Sequence, residues 1–208
     1  MLQYRLIKRI FDFCVALLLS PIWVVLSLIG CVIVLHTSFG NPFFTSRRVG
    51  REGKEIMIYK IRTMVKNADK IGTGITSLND PRIIPLGRFM RLTKMDEMPQ
   101  FWSVLTGDLA IVGPRPELAQ YVEHYSDEER QRILSVKPGM VDFGTLAFPD
   151  LQFVLGEDAT EEEFLKYLAK EKIRLRLKYV EEQSLKTDLT ILLQTPFSII
   201  STVLKKAA

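Results

Sequence analysis

The distribution of apolar positions separates a strongly apolar N-terminal segment from a body of short helices and strands. From Ile10 to Leu35 the chain is almost entirely apolar, long enough to cross a hydrocarbon core of about 30 Å as one straight helix. Ser20-Pro21 interrupts the run, and proline breaks or kinks a helix because it removes a hydrogen bond and clashes with the preceding turn. A kinked spanning helix and a hairpin that returns to the same side both fit this pattern.

Basic residues flank the apolar run on both sides. Arg5, Lys8 and Arg9 precede it, and Arg47 and Arg48 are the first of several that follow. Positive charge tends to stay on the cytoplasmic face, so these flanks favour the hairpin slightly over a single crossing.

The body is predicted to be of the α/β class, mostly helical with a small β element. Alternating residues predict strands at Phe43–Thr45 and Glu55–Arg62, and a short buried strand is predicted at Leu109–Val112. Apolar residues at helical spacing predict a helix that carries Met98, Phe101, Trp102 and Leu105. Other helices are predicted at 87–92, from the capping box that begins at Ser126, from Thr160 to about Glu182, and along the apolar stripe of Leu189 to Leu204.

Two adjacent carboxylates, Asp96 and Glu97, lie where the helix containing Met98 is predicted to begin. An N-cap position would stabilise the charge of Asp96 through the helix dipole and unpaired backbone N–H groups, so we expect it to stay ionised at neutral pH. Asp is also a preferred N-cap residue, and a lone pair of this kind is more often a cap than a catalytic group. The neighbouring residues therefore decide between the two interpretations.

Positive charge is concentrated in the first part of the chain. The net charge is +4, but residues 1–119 carry +7 and residues 120–208 carry −3. Lys60 and Arg62 share one strand face, where they are either solvated strand-end charges or ligands for an anion. Arg115 lies between two prolines and loses little freedom on binding, which suits bidentate contact with a phosphate, and a plain structural turn is the alternative.

The remaining reactive residue types restrict the chemistry. Cys14 and Cys31, like His36 and His124, lack metal-ligand spacing, and no Ser–His–Asp arrangement is present. An ionised aspartate can attack phosphorus without a general base, so phosphoryl transfer fits the residues better than acyl transfer. Such a reaction needs charge neutralisation, which Mg²⁺ held by carboxylates and substrate phosphates supplies.

Several motifs in a fixed order resemble the bacterial sugar transferase family, the small monotopic polyprenyl-phosphate phosphoglycosyl transferases. The resemblance extends to the membrane segment, through Lys8-Arg9-x-x-Asp12 and Ser20-Pro21, and to Tyr59-Lys60-x-Arg62. The motifs of the body are Asp80-Pro81-Arg82, Gly87-Arg88-Phe89-Met90-Arg91, Asp96-Glu97-Met98-Pro99-Gln100, Gly107-Asp108, Val112-Gly113-Pro114-Arg115-Pro116 and Lys137-Pro138-Gly139.

This resemblance implies a two-step reaction. Asp96 attacks the sugar-bearing phosphate of a UDP-sugar and releases UMP, and polyprenyl phosphate then takes the phosphosugar from the enzyme. Glu97 is the partner of Asp96, which it orients or assists at Mg²⁺, so Asp96 and Glu97 are also the expected metal ligands. The residues that the resemblance assigns to phosphate or substrate binding are Lys60, Arg62, Arg91, Arg115, Lys137 and Asp142.

The same resemblance implies the placement of the chain. Residues 1–40 form a re-entrant membrane hairpin that breaks at Ser20-Pro21, and 41–208 form a cytosolic catalytic domain whose C-terminal helix, 186–206, lies at the interface. The protein is then monotopic on the cytoplasmic face of the bacterial inner membrane, where its partners are a UDP-sugar, polyprenyl phosphate and membrane lipids. Homo-oligomers and downstream glycosyltransferases are further candidate partners.

Departures from the family pattern and two other functions stay open. Met140 to Phe148 replace the usual residues that end in Asn-Gly-Arg, so contacts made there in relatives are not carried over, and Ala110 replaces a common Ser.

A membrane-tethered nucleic-acid binder would need stacking aromatics among its cations, and only Tyr59 and Phe89 fit, so no nucleic-acid partner is expected. A non-catalytic membrane scaffold is disfavoured only by the intact Asp-Glu pair.

Overall fold

A computed structural model describes residues 2–71, 76, 80–149 and 169–207. Two helices cover the apolar N-terminal segment: α1 spans Leu2–Leu18 and α2 spans Ser20–Thr37. Pro21 lies in the first turn of α2, where its missing N–H leaves no helical hydrogen bond unmade. The Trp23 indole N–H donates across the break to the Ala16 carbonyl at 3.0 Å. The predicted helix break is therefore present.

The body consists of short elements. Those that follow α2 among the described residues are β1 (Phe43–Val49), β2 (Glu55–Ile61), α3 (Gly87–Leu92), α4 (Gln100–Thr106), β3 (Ala110–Val112), α5 (Ala119–Val122), α6 (Asp127–Ile133), β4 (Gly139–Val141), α7 (Phe143–Ala147), α8 (Lys170–Glu182) and α9 (Leu185–Ala207). The prediction of a mostly helical body with a small β element is confirmed. So is the capping box at the start of α6, which Ser126 and Glu129 form. The predicted helix start at Thr160 lies outside the described residues, and α8 ends at Glu182 as expected.

The strands form two small sheets. β1 and β2 are antiparallel, with Phe43 opposite Ile61 and Val49 opposite Glu55, so β1 continues four residues beyond its predicted end. β3 and β4 are parallel, with Val112 opposite Val141. β4 was not predicted, because its three residues are too few to show a strand period.

The N-terminal and C-terminal helices are joined to the body by polar contacts as well as by apolar packing. The Arg9 guanidinium donates to the carbonyls of Val104 and Leu105 near the end of α4. Asp188 of α9 is fully buried, and its carboxylate accepts from Lys8 at 2.9 Å and from the Tyr179 hydroxyl at 2.7 Å. These contacts bring α1, α8 and α9 together. The main apolar cluster lies beside them and includes Ala16, Ile58, Val104, Leu109, Ile111, Val112 and Ile191.

Several helices direct apolar side chains outward. On α1 the exposed side chains include Leu6, Ile10, Phe13 and Leu17, and on α9 they include Leu189, Leu193, Phe197, Ile200 and Leu204. The C-terminal stripe predicted from sequence is therefore exposed, while Ile191 and Thr195 of the same helix are buried. Helix α2 and residues 185–205 of α9 are each long enough and apolar enough to cross a membrane.

Close backbone contact between the two parallel strands requires glycine at Gly113 and Gly139. A Cβ atom at Gly139 would lie 2.1 Å from the Gly113 nitrogen, and one at Gly113 would lie 2.6 Å from the Lys137 carbonyl oxygen. The obstructing atoms are backbone, which cannot move away as a flexible side chain can.

We expect Gly139→Ala to lower the free energy of unfolding by about 3 kcal/mol, because the strands must separate to admit the methyl group. Thermal unfolding of the detergent-solubilised chain measures the effect. Gly53→Ala is the matched control: Gly53 has φ +77° but no atom within 4 Å of a Cβ, so only a backbone cost of about 1 kcal/mol is expected. Equal losses in the two variants would contradict the steric argument.

Candidate active site

Asp96 and Glu97 lie in a 3₁₀ turn, Met95–Glu97, immediately before α4. The predicted N-cap role of Asp96 is wrong, because Pro99 is the residue that precedes α4 and no side chain caps that helix. Within the turn the amides of Glu97 and Met98 bond to the Lys94 and Met95 carbonyls, so they need no carboxylate cap. The apolar face predicted for α4 is only partly directed inward: Phe101 and Leu105 pack against the main apolar cluster, whereas Trp102 is 57% exposed.

Glu97 is the centre of an ion cluster. Its Oε1 accepts from the Lys60 ammonium at 3.0 Å and from the Arg115 guanidinium. Burial alone would raise the pKa of Glu97, but Arg115 and Lys60 hold it well below its usual range. Glu97 is therefore a permanent carboxylate that fixes two cations beside Asp96.

Asp96 is 6% exposed, and its Oδ1 atom has no hydrogen-bond partner among the described residues. Burial and the neighbouring charge of Glu97 raise its pKa, against the attraction of Lys60 and Arg91. This direction is opposite to the one expected from a helix N-terminus, so the nearby cations, not the dipole, favour the charged form. The unpartnered oxygen is a buried acceptor without a donor, which is costly unless a ligand supplies a partner.

Arg115 is held in place by contacts from β4 and the residue that follows it. Its guanidinium donates to the Met140 carbonyl as well as to Glu97, and its backbone N–H donates to Asp142 Oδ2 at 3.1 Å. Asp142 also caps α7 by accepting from the Thr145 amide at 2.8 Å. Asp142 therefore acts on the site by positioning the Arg115 backbone.

Arg91 approaches the carboxylates from α3. Its guanidinium donates to Thr76 at 3.0 Å and is 3.4 Å from the Thr63 hydroxyl. Burial lowers the pKa of Arg91, and the charges of Asp96, Asp80 and Glu97 oppose that effect. The structure thus brings Lys60, Arg91 and Arg115 around the carboxylate pair.

Two of the predicted site residues lie elsewhere. Arg62 donates to the carbonyls of Ser38 at 2.8 Å and Phe39 at 3.1 Å, so it holds the end of α2. Lys137 lines a separate cavity with Arg9 and Arg51. In neither case does the side chain belong to the Glu97 cluster.

Arg48 is a cation near the site that the sequence interpretation did not include. It lies 3.9 Å from Glu117, and burial lowers its pKa while the charges of Arg115 and Glu97 also act on it. Arg48 is opposite Ile56 in the β1–β2 register, which puts it on the same sheet face as Lys60. A predicted strand that continued beyond Thr45 would have included it.

The carboxylate pair with three surrounding cations, on a chain with long apolar helices, suits an enzyme that handles phosphates near a membrane. A family model described as bacterial sugar transferase matches residues 3–202, and the chain therefore belongs to that family. Among its relatives, a UDP-glucose:undecaprenyl-phosphate glucose-1-phosphate transferase of Escherichia coli is 35% identical over 93% of this chain and 40% of the relative.

Other relatives have similar identities. An undecaprenyl-phosphate galactose phosphotransferase of Salmonella typhimurium is 33% identical over 72% of this chain and 37% of the relative. The sugar transferase EpsL of Bacillus subtilis, described as uncharacterized, is 35% identical over 68% of each chain. The chain thus spans less than half the length of the two larger relatives.

We expect Glu97→Gln to lower the free energy of unfolding by about 2 kcal/mol, because it leaves Lys60 and Arg115 facing each other without a carboxylate. Thermal unfolding in detergent measures the change. Glu55→Gln removes a carboxylate from an exposed pair with Arg47 and should have almost no effect. A Glu97 variant as stable as the Glu55 variant would contradict the assigned role.

Proposed function

We propose that the chain transfers a sugar 1-phosphate from a UDP-sugar to polyprenyl phosphate, giving polyprenyl-diphosphate sugar and UMP, as a membrane step of glycan or polysaccharide assembly. Family membership supports the reaction class. The observation that carries the proposal is the buried Asp96 oxygen without a partner, beside cations that Glu97 holds in place.

In the first step, Asp96 attacks the sugar-bearing phosphorus of the UDP-sugar. A bond forms between a carboxylate oxygen and phosphorus, the bond to the bridging oxygen breaks, and UMP leaves with that oxygen. The attacking group is already an anion, so no base has to remove a proton. Lys60, Arg91 and Arg115 offset the repulsion between the carboxylate and the diphosphate.

In the second step, an oxygen of polyprenyl phosphate attacks the phosphorus of the aspartyl-phosphosugar. The bond between Asp96 and phosphorus breaks, which restores the carboxylate and forms the new diphosphate linkage. The incoming lipid phosphate is also an anion, so this step needs no proton transfer either. The same cations serve both steps, because each passes through a phosphorus centre next to Asp96.

The carboxylate pair fits a Mg²⁺ ion. Mg²⁺ binds through one or two carboxylates and completes its shell with water and substrate phosphates. Asp96 Oδ1 has no partner among the described residues, whereas Glu97 Oε1 is occupied by two cations, so Asp96 and the other Glu97 oxygen would hold the ion. When bound, Mg²⁺ would neutralise charge that develops on the leaving phosphate.

The placement of the chain is also proposed. Residues 1–40 form a hairpin that enters the cytoplasmic leaflet of the inner membrane and returns, and residues 41–208 form the catalytic domain. The break between α1 and α2, the basic flanks and the Trp23 contact across the break support this arrangement. The exposed stripe of α9 would lie at the membrane surface.

We expect Asp96→Asn to abolish UMP release and covalent labelling, because an amide cannot act as the nucleophile. The purified chain is incubated with Mg²⁺ and a panel of UDP-sugars, with and without polyprenyl phosphate. UMP is quantified, and the adduct on residue 96 is sought by mass spectrometry. Asp127→Asn, a neutralised carboxylate on the exposed first turn of α6, should behave as wild type. Wild-type protein that releases no UMP from any sugar would favour the scaffold alternative.

The hairpin predicts that both of its ends face the cytoplasm. In a background of Cys14→Ala and Cys31→Ala, we expect Gln3→Cys, which is exposed before the apolar run, to resist a membrane-impermeant maleimide in intact spheroplasts and to react after lysis. Lys54→Cys is the reference for the cytoplasmic side, since Lys54 is 78% exposed. Labelling of residue 3 in intact spheroplasts, with residue 54 protected, would show a single crossing.

A further inference from the structure

A cavity lined by cations lies away from the carboxylate pair and from the cations grouped around Glu97. It has a volume of about 110 Å³ and lies between α1, the turn at Arg51 and the segment that precedes β4. None of the residues grouped around Glu97 lines it. The charged residues that line it are Arg5, Lys8, Arg9, Arg51, Lys137 and a single carboxylate, Asp12.

The positive charge of this cavity is only partly matched by the protein. Lys8 is paired with Asp12 and Asp188, and the Arg9 guanidinium is satisfied by two carbonyls. No hydrogen bond or ion pair reaches the Lys137 ammonium from any described residue. The Arg51 Nε atom is buried and has no partner either, although the guanidinium contacts Glu52 at its exposed end.

The environment of Lys137 explains why this arrangement needs a ligand. Burial and the charge of Arg9 lower the pKa of Lys137, against the attraction of Asp12, and the Arg51 charge adds to the lowering. The buried Arg51 Nε–H has lost its hydration without gaining an acceptor, and the partly buried Lys137 ammonium has lost part of its own, which is costly. A doubly charged oxyanion supplies acceptors to several such donors at once.

We infer that this cavity binds a phosphate group, carried either by a phospholipid headgroup or by inorganic phosphate. The volume is sufficient, since one water molecule needs only about 10–15 Å³ by the same measure. Tyr4 and Tyr179 also line the cavity, but their hydroxyl groups donate to Asp188, so the donors for a phosphate are the cations. The inference does not depend on the transfer reaction, because no residue of the Glu97 cluster contributes to it.

The cavity lies beside α1, where a phospholipid headgroup could supply the phosphate. Arg5, Lys8 and Arg9 occupy one face of α1, and exposed Leu6 and Ile10 occupy another. A helix that places its leucine and isoleucine in the acyl region holds its arginines at the level of the headgroups. A headgroup phosphate could therefore reach the cavity without leaving the membrane.

Binding is measured on the full chain in two arms. In the first, detergent-solubilised protein is titrated with inorganic phosphate at constant ionic strength. In the second, native mass spectrometry counts phosphatidylglycerol or phosphatidylcholine retained after exposure to mixed micelles. Lys137→Gln and Arg51→Gln test the cavity, and Lys54→Gln removes a charge near the same turn from outside it.

We expect Lys137→Gln and Arg51→Gln each to weaken binding about tenfold, the loss typical of one charge-assisted hydrogen bond, and the Lys54 variant to match wild type in the affected arm. Loss confined to the lipid arm identifies a headgroup, and loss confined to the phosphate arm identifies the free ion. Binding that survives in both cavity variants, or a wild-type chain that binds neither probe, would overturn the inference.

A measurement on the wild-type chain avoids any folding defect of the variants. Amine acetylation is followed by mass spectrometry with and without phosphate or phosphatidylglycerol. The probe should slow modification of Lys137 about tenfold, because the anion covers the ammonium, and should leave exposed Lys54 unchanged. Equal rates at Lys137 with and without both probes would count against the site.

Discussion

The contact of Glu97 with Lys60 and Arg115 determines the geometry of the candidate site. Lys60 comes from β2 and Arg115 from the loop after β3, and both donate to the same carboxylate oxygen. The sheets are small, so few backbone ladders connect these parts of the chain. Removing one member of such a cluster leaves the other charges unpaired. The three side chains therefore stabilise the site only when all of them are in place. Asp96 gains its cationic surroundings from this cluster, since Glu97 is what keeps two of its nearby cations in position.

Buried carboxylates join distant segments elsewhere in the chain by the same means. Glu117 accepts from Lys172 and Arg176 of α8, which connects that helix to the loop carrying Arg115. Asp188 connects α1 to α9 through Lys8. Asp188 is fully buried and Glu117 largely so, and each needs its partners in place before its burial becomes favourable. The contacts therefore specify which elements meet, whereas the apolar clusters alone would allow several packings.

Local signals in the sequence predicted much of the architecture. Ser20-Pro21 indicated the helix break, alternation indicated the β1–β2 hairpin, and Ser126 indicated the start of α6. Each depends on residues close in the chain, where backbone rules apply. The parallel contact at Gly139 and the separation of Lys137 from the Glu97 cluster have no such signal, because they depend on which distant segments pack together. Motif resemblance named Lys60, Arg91 and Arg115, which lie together around the carboxylate pair, but it also named Arg62 and Lys137, which lie elsewhere.

The exposure of Trp102 on the predicted apolar face of α4 has a general cause that also applies to α9. Periodicity identifies the apolar face of a helix but not the direction in which that face points. On α4 Trp102 faces outward and Ser103 inward, and on α9 Phe197 faces outward while Asp188 and Thr195 are buried. Outward apolar faces of this extent are unfavourable in water and favourable against lipid. The buried polar groups of α9 have partners, since Asp188 is bonded to Lys8 and the Thr195 hydroxyl donates to its own helix backbone. A chain with lipid on one side can therefore reverse the usual placement of apolar and polar residues, provided that each inward polar group finds a partner.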